Sequence, residues 1–193
     1  MNDFFLYFKI GLNHVLDFAA YDHILFLIVL TVVFNMNQWK KVVWLVTLFT
    51  LGHSITLALS AYGILILKMD LIEFLIPLTI CVTGIINIFR AQKSQTGKEN
   101  TNLIFAPIFG LIHGLGFSNY FKMMIGKEED KLFPLLEFAL GIEASQIIIV
   151  LVILITTTLL QYFFKVTKRD RILVCSSIVV GFSIQMILNR VFW

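Results

Sequence analysis

Apolar runs bounded by charged residues divide the chain into six stretches, at about 22 to 36, 41 to 63, 70 to 90, 102 to 122, 133 to 161 and 171 to 190. Most are too long and too continuously apolar for half-buried strands, and the period-two alternation of a closed barrel is absent. The pattern predicts an all-α membrane protein, a polytopic bundle of about six transmembrane helices that forms a single transmembrane domain over residues 1–193. The opening segment, 1 to 18, is shorter and is interrupted by Lys9, Asn13, His14 and Asp17. It is expected to lie in the membrane interface as a short helix, and with Asp3 ahead of its apolar run it does not resemble a cleavable signal peptide. The polar run QKSQTGKEN, within a loop at about 91 to 101, reads as a cytosolic connection.

Composition changes this picture only by narrowing it. The chain is 59% hydrophobic and 14% charged, with a mean hydropathy of +0.90, well beyond the roughly 45–50% apolar usage of soluble domains. At about 20 residues per span there is room for six or seven spans and none for a separate soluble domain. The formal charge, 15 basic minus 12 acidic residues, is +3, and it is spread between the apolar stretches, so nucleic acid is not an expected partner. Cys81 and Cys175 lie inside apolar stretches without a CxxC pattern and read as small core residues.

Charge also orients the bundle. With six spans, the loops after the first, third and fifth share one side and hold nine basic residues: Lys40, Lys41, Arg90, Lys93, Lys98, Lys165, Lys168, Arg169 and Arg171. The other side holds six, Lys9, Lys68, Lys122, Lys127, Lys131 and Arg190, diluted by Asp70, Glu128, Glu129 and Asp130. The positive-inside rule therefore places both termini outside the cytoplasm.

Against this apolar background the ionisable residues stand out, because each costs several kcal/mol in a spanning helix unless it finds a partner. There are four histidines. His14 precedes the first span, His23 sits at its outer end beside Asp22, His53 lies in TLGHSITLALS and His113 in GLIHGLGF; Glu143 lies in LGIEASQ, with Gln146 about one turn later. At about 1.5 Å per residue, His53 is about 20 Å above the inner end near Lys40 and His113 about 17 Å above the inner end near Asn102, while Glu143 is about 15 Å below the outer end near Phe133. All fall in the outer half of the bundle and can share one site.

Imidazole and carboxylate donors without thiolate suit Zn, Ni, Co, Fe or Mn and argue against Cu(I). The expected ligands of such a divalent metal ion are His14, Asp22, His23, His53, His113 and Glu143. Asp22 points about 100° away from His23 on a helix, so it either ligates separately or, with Asp17, orients a histidine. Thr50 and Ser54 lie one turn apart and Thr56 and Ser60 continue a polar stripe around His53; Asp17, Ser54, Thr56 and Gln146 are expected to support the ligands by hydrogen bonding. Gly110 and Gly114 form a GxxxG that Gly116 extends, which lets a neighbouring backbone approach and carries His113 into the bundle. Thr79, Thr83 and Asn87 form a stripe at helical spacing that reads as interhelical polar contacts.

The stretch NHVLDFAAYDHILFLIVL, followed by TLFTLGHSITLALS, FGLIHGLGF and FALGIEASQ, resembles the HupE/UreJ family of small bacterial membrane proteins over nearly the whole chain, and HxLDxxxYDHILF is similar to the form of Bacteroidetes-type members. The resemblance implies a multi-pass protein of the bacterial inner membrane associated with nickel supply to hydrogenase or urease and described as a nickel or cobalt permease. It also implies metal contact by His14, Asp22, His23, His53, His113 and Glu143. The expected partners are the lipid bilayer and the divalent cation, with a homo-oligomer or a larger membrane complex open.

Two mechanisms suit these residues. A permease would capture the cation at the outer cluster and release it by histidine protonation or a bundle movement. A zinc-like intramembrane hydrolase would use three histidines to hold an ion that activates water, with Glu143 as general base. A metal-binding accessory subunit of a membrane complex is a third role.

Overall fold

The computed structural model describes residues 3–17, 21–65, 68–92, 100–126 and 131–191. Seven α-helices occupy them: α1 (Asp3–Leu16), α2 (Asp22–Thr31), α3 (Trp39–Ala61), α4 (Met69–Gln92), α5 (Asn100–Ile125), α6 (Leu132–Phe164) and α7 (Lys168–Asn189), with one 3-10 turn, Met36–Gln38, ahead of α3. No strand occurs among the described residues. The protein is a polytopic helical bundle. The loop expected at about 91 to 101 falls mostly outside the described residues.

Five helices, α3 to α7, are long and apolar enough to cross a membrane, and each begins and ends within a few residues of an expected span. The stretch at 22 to 36 differs. It yields the ten-residue α2, about 15 Å of helix against about 30 Å of hydrocarbon. Its apolarity has another origin than lipid contact: eight of its residues, from Asp22 through Phe26 to Thr31, are buried by the rest of the chain, and a helix enclosed on every side is apolar on every side. Among the described residues the long spans number five, with α2 and the segment after it joining the two ends through the core.

Stopping a helix inside a bundle frees backbone carbonyls that lipid cannot satisfy. Here side chains from other helices meet them. Asn87 Nδ2 on α4 donates to the Val29 carbonyl at 2.6 Å. The buried Arg171 on α7 donates through Nη2 to the Phe34 carbonyl at 3.1 Å and to Asn35 Oδ1 at 2.8 Å. At the opposite end of the bundle Lys131 Nζ donates to the last carbonyl of α3, at Ala61, at 2.9 Å.

The other helices pair closely, α1 with α6, α3 with α5 and α4 with α7, around α2. Glycines set two of these seams. A Cβ on Gly52 would strike the Pro107 carbonyl oxygen, and one on Gly110 the Phe49 carbonyl oxygen, so α3 and α5 run side by side at backbone contact. Likewise a Cβ on Gly11 would strike the carbonyl of Phe138, and one on Gly141 that of Phe8. At this second seam the amino-terminal segment, as α1, packs along α6 with Tyr7 and Val15 buried.

The chain order gives the bundle two ends. The starts of α2, α4 and α6 meet the ends of α3, α5 and α7 at the Asp22 end, where Arg190 Nη1 lies 4.0 Å from Asp22 Oδ2. The starts of α3, α5 and α7 mark the Trp39 end. Helix α1 leads towards the Asp22 end, so its first residues point the other way.

The glycine seams make a paired prediction. Gly110→Val forces α3 and α5 apart and should cost at least the 1–3 kcal/mol typical of overpacking, about the scale at which a thermal midpoint drops visibly. Gly181→Val, with nothing within 4 Å of the new Cβ, should leave the midpoint of the detergent-solubilised protein unchanged; equal effects would contradict the assigned seam.

Candidate metal centre

Each histidine arrives from a different helix. His14 lies in the last turn of α1, His23 in the first turn of α2, His53 two-thirds along α3 and His113 mid-way along α5. The seams fix them. Gly114 packs against the His53 backbone and the Thr56 hydroxyl, so the spot where α5 touches α3 is the spot where His53 turns inward, and His113 sits one residue from it.

The rings converge. Centroid separations are 4.6 Å for His14 and His23, 5.9 Å for His14 and His53, 6.4 Å for His23 and His53, and 5.7 Å for His23 and His113. One ring nitrogen from each of His14, His23 and His53 lies within 4.8 Å of the other two. An ion bound at about 2.0–2.1 Å to each would bring tetrahedral ligand nitrogens to about 3.4 Å apart, which asks for shifts of about an ångström by ring rotation. His113 stands just outside this trio.

Five buried ring nitrogens in this group have no hydrogen-bond partner: His14 Nε2, His23 Nε2, both nitrogens of His53, and His113 Nδ1. Buried polar atoms without partners are few in proteins and each calls for an explanation. Here they belong to four neighbouring rings, which is what a set of ligands awaiting an ion would present. The walls are aromatic: Phe117 and Phe138 pack on His14, Phe49 and Phe138 flank His53, and Phe26 and Phe49 flank His113. A dry wall of this kind strengthens any charge–dipole interaction inside it.

Two rings have their tautomers set from outside. Asp22 Oδ1 lies 3.0 Å from His23 Nδ1, so the carboxylate accepts a hydrogen bond from Nδ1–H and the lone pair is left on the unpartnered Nε2. Asp22, one of the expected ligands, is thus turned onto its neighbour and also accepts the His23 backbone N–H at 2.9 Å. Thr79 Oγ1 donates to the Ile76 carbonyl at 2.7 Å and lies 3.3 Å from His113 Nε2. Its proton being committed, it accepts from Nε2–H, and the His113 lone pair is left on Nδ1.

Glu143 is not brought into the trio. Thr47 Oγ1 and Thr50 Oγ1 donate to its two carboxylate oxygens, at 2.5 and 2.6 Å, and Thr50 also lies 3.0 Å from Gln146 Oε1. Thr50 is three residues before His53, so this group sits about 4.5 Å of helix rise nearer the Trp39 end. Of the residues expected to support the ligands, Thr56 returns its hydroxyl to the His53 carbonyl at 3.0 Å, Ser54 is half-buried without a hydrogen bond to any of these histidines, and Gln146 belongs with Glu143. Asp17 lines an open depression of about 350 Å³ between α1 and α5, with Asn13, Phe117 and Tyr120, and His14 forms part of its wall. His14 is thus the member of the trio that borders this groove.

Thr47 is not among the expected site residues, although it stands three residues before Thr50 and continues the same hydroxyl stripe. Thr79 makes the interhelical contact its stripe predicts, and its partner, His113, gives that contact a bearing on the site.

These features define a polytopic helical membrane protein with a buried imidazole centre. The chain matches the family described as HupE / UreJ protein over residues 1–190 and belongs to it. Neither the curated proteins nor the solved structures yield a significant match.

The tautomer assignment can be read directly. ¹⁵N spectra of histidine-labelled protein should show His23 as the Nδ1–H and His113 as the Nε2–H form. Asp22→Ala should disturb the first alone and Thr79→Val the second alone; a single tautomer for both rings in the wild-type protein would contradict the network.

Proposed function

We propose that the protein is a divalent-cation permease of the nickel or cobalt type, in the bacterial inner membrane, with the Asp22 end facing outward. The observation that carries this reading is the convergence of His14, His23 and His53, one ring nitrogen of each within 4.8 Å of the others, in a group whose buried nitrogens lack partners, beside a groove that His14 lines. Membership of the HupE/UreJ family, which is associated with nickel and cobalt handling, supports it. The excess of Lys and Arg in the loops at the Trp39 end supports the orientation.

In this mechanism the cation is cargo. Asp17 and Asn13 line the groove through which it approaches; His14, at the mouth, is the first imidazole it meets. His23 and His53 complete the capture, with Asp22 holding His23 in the ligating tautomer. His113 lies close enough to His23 to exchange with one of the trio as the ion moves inward. Neutral imidazoles bind a divalent ion without cancelling its charge, a weaker hold than thiolates would give, and one suited to release.

The hydrolase reading needs a base beside the metal-bound water. Its candidate, Glu143, is engaged by Thr47 and Thr50 on the far side of His53, which weighs against it.

Metal analysis and flux separate the roles. The detergent-purified protein should bind Ni²⁺, Co²⁺ or Zn²⁺ exchangeably, and His53→Ala should weaken binding by at least a hundredfold, with His113→Ala weaker by about tenfold, in the range expected for changes around a metal site. Proteoliposomes should show flux that His53→Ala abolishes. A tightly held ion that does not exchange, or flux indifferent to His53, would sink the permease reading.

A further inference from the structure

The mechanism so far uses the Asp22 half of the bundle and leaves a carboxylate unexplained. Glu143 is half-buried in the longest and most apolar of the spans, and among the described residues no basic side chain pairs with it. Both its oxygens face hydroxyls, Thr47 and Thr50. A threonine hydroxyl has one proton, and Thr50 touches three acceptors: Glu143, Gln146 Oε1 and the Val46 carbonyl. It can serve only one, so the group has more acceptors than protons. Gln146, fully buried, adds an amide whose Nε2 has no partner. Its Oε1 is the atom turned to the group, 3.0 Å from Thr50 Oγ1. The cluster then consists of oxygens: two of a carboxylate, two of hydroxyls and one of an amide.

The seam that holds this group continues past it. Beyond Glu143, α3 and α6 do not close on each other. A cavity of about 190 Å³ follows between them, lined by Val43, Val46, Ile147, Val150 and Leu154 and reaching Trp39. Met36 closes its far end and also lines a depression of about 260 Å³ at the Trp39 end, whose other walls are Asn35, Asn37, Thr158 and Gln161. Read from one end to the other, the chain of features runs from polar groove to imidazoles, to an oxygen cluster, to an apolar void, to a polar depression.

We infer that Glu143, Thr47, Thr50 and Gln146 form a second cation station, separate from the histidine centre and built of oxygen donors, through which a divalent cation passes before leaving along the α3–α6 seam. This rests on the permease reading and extends it. Oxygen donors hold first-row divalent ions more loosely than imidazoles do, so an ion handed from His53 to Glu143, one turn apart, moves to a station it can leave. The apolar void beyond is a gate closed by dewetting in this conformation, since a cavity without polar lining does not hold the water an ion would need. Opening requires α6 to move on α3, a seam that carries none of the glycine contacts that lock α3 to α5.

The test is Glu143→Gln in the full-length protein, with Ni²⁺ binding in detergent and Ni²⁺ uptake into proteoliposomes measured on the same preparation. Binding at the histidine centre should stay within twofold of the wild type, which also shows that the variant folds. Maximal uptake should fall at least tenfold, with the half-saturating concentration unchanged. Glu143→Asp, keeping the carboxylate, should recover part of the rate. Wild-type uptake by Glu143→Gln, where His53→Ala has none, would overturn the station and leave the permease reading intact. Loss of Ni²⁺ binding by Glu143→Gln with binding retained by Glu143→Asp would overturn it too, by making Glu143 part of the histidine centre. If the wild-type protein shows no uptake that depends on His53, the permease reading itself fails and the station goes with it.

Discussion

Hydrocarbon offers no hydrogen bonds, and that constraint governs every polar atom in this bundle. A helix satisfies its own backbone only while it continues, so α2, which stops after ten residues, has to be completed by side chains from elsewhere. Asn87 meets the Val29 carbonyl and Arg171 meets Phe34 and Asn35. An unpaired buried group costs about 1–3 kcal/mol, and these bonds remove that cost at the places where the backbone is most exposed to it. The same constraint makes the histidine nitrogens meaningful. The chain supplies partners for its carbonyls at a distance of many residues, yet leaves five imidazole nitrogens of one cluster without any.

Position follows from packing. The glycine contacts of α3 with α5 and of α1 with α6 fix three of the four histidine-bearing helices in two rigid pairs, and α2 between them contributes His23. Asp22 and Thr79 then select which nitrogen of His23 and of His113 faces inward. Backbone contact sets where each ring stands, and a polar neighbour sets how two of them present their lone pairs. An ion would find most of the ordering already done, which lowers the cost of binding it.

Much of this was legible in the chain. Spans α3 to α7 follow from hydropathy alone, because each must clear the bilayer and nothing else in the composition competes. The GxxxG at Gly110 and Gly114 pointed to close approach at the level of His113, and 1.5 Å per residue placed the histidines at a shared depth. What hydropathy cannot distinguish is apolar because lipid-facing from apolar because enclosed, and so α2 reads as a full span. The matched glycines at 11 and 141 lie far apart in sequence, and nothing local announces that they meet, so the packing of α1 along α6 is not legible in either segment alone. Glu143 lies at a depth compatible with the histidines, but depth says nothing about direction around the helix axis; Thr47 and Thr50 on the facing helix decide it.

The central claim is that the histidines form a cation site whose donors are imidazole nitrogens. X-ray absorption at the nickel or zinc edge of the loaded protein reads those donors directly. The account predicts a shell dominated by nitrogen at about 2.0–2.1 Å with the outer scattering of about three imidazoles, reduced by one ring in His53→Ala. A sulfur shell at about 2.3 Å, or an all-oxygen shell without imidazole scattering, would contradict it.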